Sequence, residues 1–221
     1  MKLCAVFLLQ LPNPTAIRQL YLTEPGASHD LSVKDYVRIL QLHQNEQKNQ
    51  TTPLPVTPAH TSRIACAGAA VYDGTQITVE LFSAWAGGDE AECRLLESLA
   101  HYVVATPTVY LKSDALHGLK IRAALVGVTL CAPLLGATCP LELDARTLAE
   151  CAQLRPEFAP APEPLDAEQM VECFAQQEYA RLETYCQRMT RWQLWMQARF
   201  AAVHGQLAWE TVRAMAEDTR I

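Results

Sequence analysis

The chain has 221 residues, half of them hydrophobic, with a formal net charge of −6. That is enough apolar material for a proper core without covalent staples. The acidic balance excludes a protein that coats polyanions in bulk and leaves room only for a local basic groove.

The chain opens on an apolar run, Leu3-Cys4-Ala5-Val6-Phe7-Leu8-Leu9-Gln10-Leu11, which Pro12 and Pro14 stop. It is shorter than the roughly 20 apolar residues that cross a bilayer, and it lacks the small-residue cleavage site of a signal peptide. An unbroken run bounded by prolines suits a strand covered on both faces. Thr15 to Asp30 reads as irregular. Ser32 is placed to cap a helix from Val33 to about Gln47, with Val33, Tyr36, Val37 and Leu40 on one face. Residues 45–58 form a polar loop ending in three prolines.

Arg63 to Tyr72 is small and apolar, and Gln76 to Trp85 alternates Ile77, Val79, Leu81 with Thr78, Glu80. Asp73-Gly74 between them is a hairpin signal, so the two strands pair antiparallel. Gly87-Gly88-Asp89-Glu90 opens a helix that carries Leu95, Leu96, Leu99 and Val103. Thr106 to Leu111 reads as a short strand and Ala115 to Val126 as a helix. A last strand at Leu141 to Leu143 and a helix from Ala145 to Leu154 follow. The loop 155–164 is proline-rich. Asp166 caps a helix to about Phe174, and Glu178 to His204 is the longest periodic segment, closed by Gly205. A short helix carries Trp209, Val212 and Met215. The pattern predicts one α/β domain over 1–221, a mixed sheet flanked by helices with a helical segment over 178–221.

The eight cysteines contain no C-x-x-C pair, so they read as free thiols in a reducing cytoplasm rather than as a zinc site. On the long helix the apolar stripe runs Leu182, Tyr185, Cys186, Met189, Trp192, Met196, Phe200, Val203. Beside it lie Arg188, Arg191, Trp195 and Arg199. This second stripe reads as a solvated face with its stems packed on neighbours, as a grip on a phosphate backbone with a stacking indole, or as a protein interface. Ser113-Asp114 and His117 lack the G-x-S-x-G elbow of a serine hydrolase.

Several stretches resemble one family, the predicted 3′–5′ exonucleases related to the proofreading domain of family B DNA polymerases. These are DEDD enzymes with an RNase H-like fold. The family's opening strand, roughly L-I-A-F-D-I-E-T-x-P, is matched by Leu3 to Pro12. Pro53-Leu54-Pro55 and His60 to Ile64 are similar to its entry to strand two. Gly88-Asp89-Glu90-Ala91-Glu92-Cys93-Arg94-Leu95-Leu96 resembles its G-D-E-A-E-L-L motif. Tyr110 to Ala123 resembles its N-G-x-x-F-D-L-P stretch, and Tyr185-Cys186 through Arg199-Phe200 its Y-C-x-x-D helix. The motifs come in the family's order over nearly the whole chain.

Carried over residue by residue, the family's acids fall on Phe7, Leu9, Ala115 and Met189. None is a carboxylate. A two-metal nuclease needs hard oxygen ligands. Asp114, Glu142 or Asp144 could replace one acid by a register slip, but strand one has no acid between Met1 and Thr23. The resemblance therefore implies an inactive exonuclease-like protein that needs no cofactor and has no membrane partner. It would act as a nucleic-acid-binding or scaffold subunit, with single-stranded DNA or RNA or a protein complex as partner. Lys112, Lys120 and Arg122, flanking Ala115, join the helix stripe as candidate nucleic-acid contacts. The alternatives are an active exonuclease with displaced ligands and a protein adaptor without nucleic acid.

Overall fold

The computed structural model describes residues 2–13, 16, 62–138 and 165–218. The expected helix Val33–Gln47, the loop 45–58, the strand Leu141–Leu143, the helix Ala145–Leu154 and the loop 155–164 lie outside the described residues.

Four strands, β1 (Leu3–Pro12), β2 (Ser62–Tyr72), β3 (Ile77–Ser83) and β4 (Val109–Tyr110), form one sheet in the order β3-β2-β1-β4. β1 pairs antiparallel with β2 and β2 with β3, whereas β4 lies parallel to β1. The β2–β3 turn forms where Asp73-Gly74 predicts it. Asp73 Oδ1 accepts hydrogen bonds from the Thr75 hydroxyl (2.7 Å), the Thr75 N–H (2.8 Å) and the Gln76 N–H (3.0 Å). Gly74 supplies the positive φ of 112°. β4 is shorter than the segment Thr106–Leu111 expected from its β-branched residues.

The helices are α1 (Asp89–Val103), α2 (Ser113–Val126), α3 (Ala132–Leu135), α4 (Ala167–Ala175), α5 (Tyr179–Val203) and α6 (Trp209–Asp218). The short α3 was not expected. Strand alternation sorts β1 between two layers. Cys4, Val6 and Leu8 pack with Leu96 and Leu99 of α1 and Leu119 of α2. On the opposite face Leu3 and Ala5 meet the C-terminal half of α5 and α6, while Leu9 and Leu11 meet Leu182 and Cys186 at its start. α5 thus runs opposite to β1 along the sheet. Asp166 caps α4 as expected, in a reciprocal pair with Gln169: the Gln169 N–H donates to Asp166 Oδ1 at 2.7 Å, and Asp166 N–H to Gln169 Oε1 at 3.0 Å.

The buried seam of α5 departs from the predicted stripe. Beyond Cys186 the buried surface takes in Thr190 and then every residue from Gln193 to Ala198, the expected Met196 among them, and leaves Met189 and Trp192 half-buried. The cause is the small-residue surface of β2. Gly68 leaves no room for a Cβ against the Thr190 hydroxyl, so α5 approaches the sheet closely with Thr190 at the contact. A methionine or indole there would hold the helix away. Thr190 Oγ1 donates to the Cys186 carbonyl at 2.6 Å, so its buried hydroxyl is satisfied within the helix.

β2 carries a bulge. Leu9 pairs with Cys66 and Gln10 with Ile64, leaving Ala65 unopposed. The freed backbone groups are taken up from outside the ladder. The Ala65 carbonyl accepts from Ala84 N–H at 2.8 Å, and Ile64 N–H donates to Glu92 Oε1 at 2.9 Å. Glu92, 1 % exposed, is held by Arg122, whose Nε and Nη2 donate to its two oxygens at 2.9 and 2.6 Å.

Candidate functional site

A cleft follows from the unequal lengths of β1 and β4. β4 pairs with β1 only at Cys4 and Ala5. β1 then runs on to Pro12 while the other chain leaves through Leu111 and Lys112 into α2. The divergence opens a cavity of about 480 Å³ beside the second half of β1. Such crevices beyond the carboxyl ends of parallel strands are where α/β sheets place ligands.

Phe7, Leu9 and Gln10 of β1 form one wall, Ala115 and His117 of α2 another, and Tyr185 and Gln193 of α5 a third. The Phe7 and Tyr185 rings meet edge to face, centroids 5.8 Å apart at 86°. Burial pushes the Tyr185 phenol above its ordinary pKa, with a Leu165 backbone hydrogen bond pulling the other way. Gln10 lies over Gly118, where an added Cβ would come within 2.8 Å of Gln10 Nε2; its Oε1 accepts from the Ser62 hydroxyl at 3.3 Å. At the mouth, exposed Lys112 precedes α2 without capping it, and Asp114 Oδ1 accepts from the adjacent Ala115 N–H at 2.7 Å. Gln193 is 8 % exposed, and its Oε1 has no hydrogen-bond partner among the described residues.

Of the four positions on which the sequence resemblance would place acids, Phe7, Leu9 and Ala115 line this one cavity. Met189 is half-buried on the turn of α5 between Tyr185 and Gln193. Aromatic and aliphatic side chains give these positions no oxygen donor. Among the described residues no group of three or more His, Cys, Asp or Glu is placed to hold a metal ion.

The expected basic contacts divide. Lys112 lines the cavity, and Lys120 and Arg188 are exposed. Two candidates are corrected. Arg122 is 3 % exposed with its guanidinium committed to Glu92, so it offers nothing to a phosphate. Trp195, also 3 % exposed, packs in the core with Leu3, Ala5 and Met215 and has no free face for a base. Arg191 and Arg199 are half-buried, and the Arg199 guanidinium lies 4.7 Å from the Trp195 ring centroid. Trp195 is buried because α5 is covered all round from Gln193 to Ala198, by the sheet and by Val212 and Met215 of α6. Gln193, which the apolar stripe did not single out, lines the cavity.

A second polar–aromatic cluster holds the α4–α5 corner to the sheet. Trp85 stacks on Tyr179 at 5.1 Å and donates from Nε1 to Glu183 Oε1 at 2.7 Å. Arg63 reaches over the Phe174 ring at 5.0 Å, and burial draws its guanidinium below the ordinary arginine range. Its cation occupies its own aromatic surroundings, which makes the cluster a clasp rather than a site.

Comparison of the chain with protein-family models, with characterised proteins and with solved structures finds no match. Among the described residues no helix is long and apolar enough to cross a membrane.

Proposed function

We propose that the chain is a catalytically inactive exonuclease-like protein on an RNase H-like sheet, a binding or scaffold subunit of a nucleoprotein assembly. Three antiparallel strands with a parallel fourth beside the first suit that fold, and a parallel bridge from Tyr110 to Thr138 extends the sheet in the same sense. The observation that carries the functional reading is the apolar wall made by Phe7, Leu9 and Ala115 where the sheet diverges. In a two-metal nuclease that wall would be a cluster of carboxylates holding cations. Phenyl, isobutyl and methyl groups cannot ligate magnesium. They do favour a cleft that keeps its shape without ions to offset like charges.

Binding remains within reach of this geometry. The cavity falls in the roughly 300–1,000 Å³ range of ligand pockets, and exposed Lys112 stands at its mouth, with Asp114 two residues on. An end-labelled single strand incubated with manganese should keep its length; shortening that a chelator abolishes would establish the active alternative. Fluorescence anisotropy at two salt concentrations should show binding that weakens with salt. No binding to single or double strands would leave the protein adaptor.

A further inference from the structure

β3 ends the sheet on one side, and among the described residues nothing pairs with its outer edge. The hairpin decides which backbone groups lie on that edge. The Asp73 N–H donates to the Gln76 carbonyl at 3.3 Å, and at the far end the Ala84 N–H donates to the Ala65 carbonyl at 2.8 Å. Antiparallel ladders alternate, so Thr78, Glu80 and Phe82 turn their N–H and C=O groups to β2. Ile77, Val79, Leu81 and Ser83 turn theirs outward. Such an open row is a template for another strand. Where β3 ends, a groove of about 320 Å³ opens between its Phe82 and Ser83 and one face of α1, made by Ala91, Leu95 and Ser98. Arg94, the charged residue of the lining, pairs with Glu90 at 3.2 Å. Glu80 is exposed on the same strand face as Phe82, two residues before it.

We infer that β3 and this groove take up an extended peptide segment of a partner protein as an added antiparallel strand, with one apolar side chain in the groove and a basic side chain opposite Glu80. The outward N–H and C=O groups are satisfied by an extended backbone, and the side chains beside them select its sequence. An antiparallel addition continues the pairing of β1, β2 and β3. Phe82 and Glu80 share a face, so the residues opposite them also stand two apart, and the peptide reads apolar-x-basic. A second copy of the chain fits worse. Pairing β3 with itself over its full length sets Glu80 against Glu80, and like charges directly opposite destabilise a ladder. The groove shares no lining residue with the cavity beside β1, so peptide binding here does not depend on nucleic acid there.

The test uses the full chain and a fluorescein-labelled peptide, Thr-Thr-Val-Leu-Val-Lys-Val-Thr-Thr. Fluorescence anisotropy should show saturable binding. Alanine in place of the peptide's leucine should weaken it about tenfold. In this register the valine N–H groups face β3. N-methylation of the central valine should therefore also cost about tenfold, and N-methylation of the lysine's backbone nitrogen should cost nothing. Glu80→Lys should weaken this peptide about twofold to fivefold and strengthen by a similar factor the peptide with glutamate in place of lysine. Amide exchange followed by NMR reads the edge itself. The N–H groups of Ile77, Val79, Leu81 and Ser83 should exchange fast in the free chain and slow down when the peptide is added. No binding at millimolar peptide overturns the inference, as does binding that ignores the methyl on the central valine. Protection of those amides in the free chain overturns it too. Protection that grows with protein concentration would mean a second copy on the edge, and protection independent of concentration would mean that the chain covers its own edge.

Discussion

Arg122→Met asks how much of the fold hangs on one buried ion pair. Glu92 is 1 % and Arg122 3 % exposed, and two hydrogen bonds of 2.9 and 2.6 Å join them. The same carboxylate holds the Ile64 N–H that the bulge sets free. Methionine fills most of the arginine's volume but donates nothing, so Glu92 would keep one buried donor in place of three. Breaking a buried pair from one side costs about 3–5 kcal/mol, because the surviving charge is stranded. At roughly 2–4 °C per kcal/mol for a chain of this size, the melting temperature at neutral pH should fall by about 6–20 °C. In Glu92→Gln with Arg122→Met the amide oxygen still accepts from Ile64 and no charge is buried, so the double variant should be more stable than Arg122→Met alone. Differential scanning calorimetry at neutral pH measures all three proteins. If Arg122→Met lost under about 1 kcal/mol, or the double variant were no better than the single, the stranded-charge argument would be wrong.

Two further outcomes come from the sheet. Gly68→Ala should destabilise by about 1–3 kcal/mol through overpacking against Thr190, read by urea denaturation. Thr190→Ala should restore most of that and Thr190→Ser should not, since the hydroxyl is what the new methyl meets; rescue by both would locate the clash elsewhere. At the β2–β3 turn, the Thr75 hydroxyl first and then the Gln76 and Thr75 N–H groups lower the Asp73 pKa from 3.8 to about 2. A depressed folded-state value means stability present above the unfolded value and lost as pH falls through the folded one. The melting-temperature gap between the unmodified protein and Asp73→Ala should therefore be widest above pH 4 and shrink toward pH 2; a gap independent of pH would refute the assignment.

Most of the described fold is legible in the sequence because its signals are local. Proline ends β1, Asp73-Gly74 turns the hairpin, Asp166 with Gln169 starts α4, and Gly205, at a φ of 69°, closes α5. The absence of acids from Met1 to Thr23 can likewise be read directly. Part of the site was legible too, since Phe7, Leu9 and Ala115 do share one cavity. Lys112, taken from the flank of Ala115, stands at its mouth.

What failed depended on partners far along the chain. Arg122 and Glu92 look like surface charges until the bulge at Ala65 requires a buried acceptor thirty residues from its cation. The burial of Thr190 follows from Gly68 on another element, and helical periodicity within α5 cannot register that contact. By itself the sequence determined most of the described strands and helices and that the first strand carries no acid, because residue type and spacing act over a few neighbours. Only the tertiary structure decided that Trp195 is core and that Gln193 lines the cavity, because which faces of a helix are covered is set by the elements packed on it.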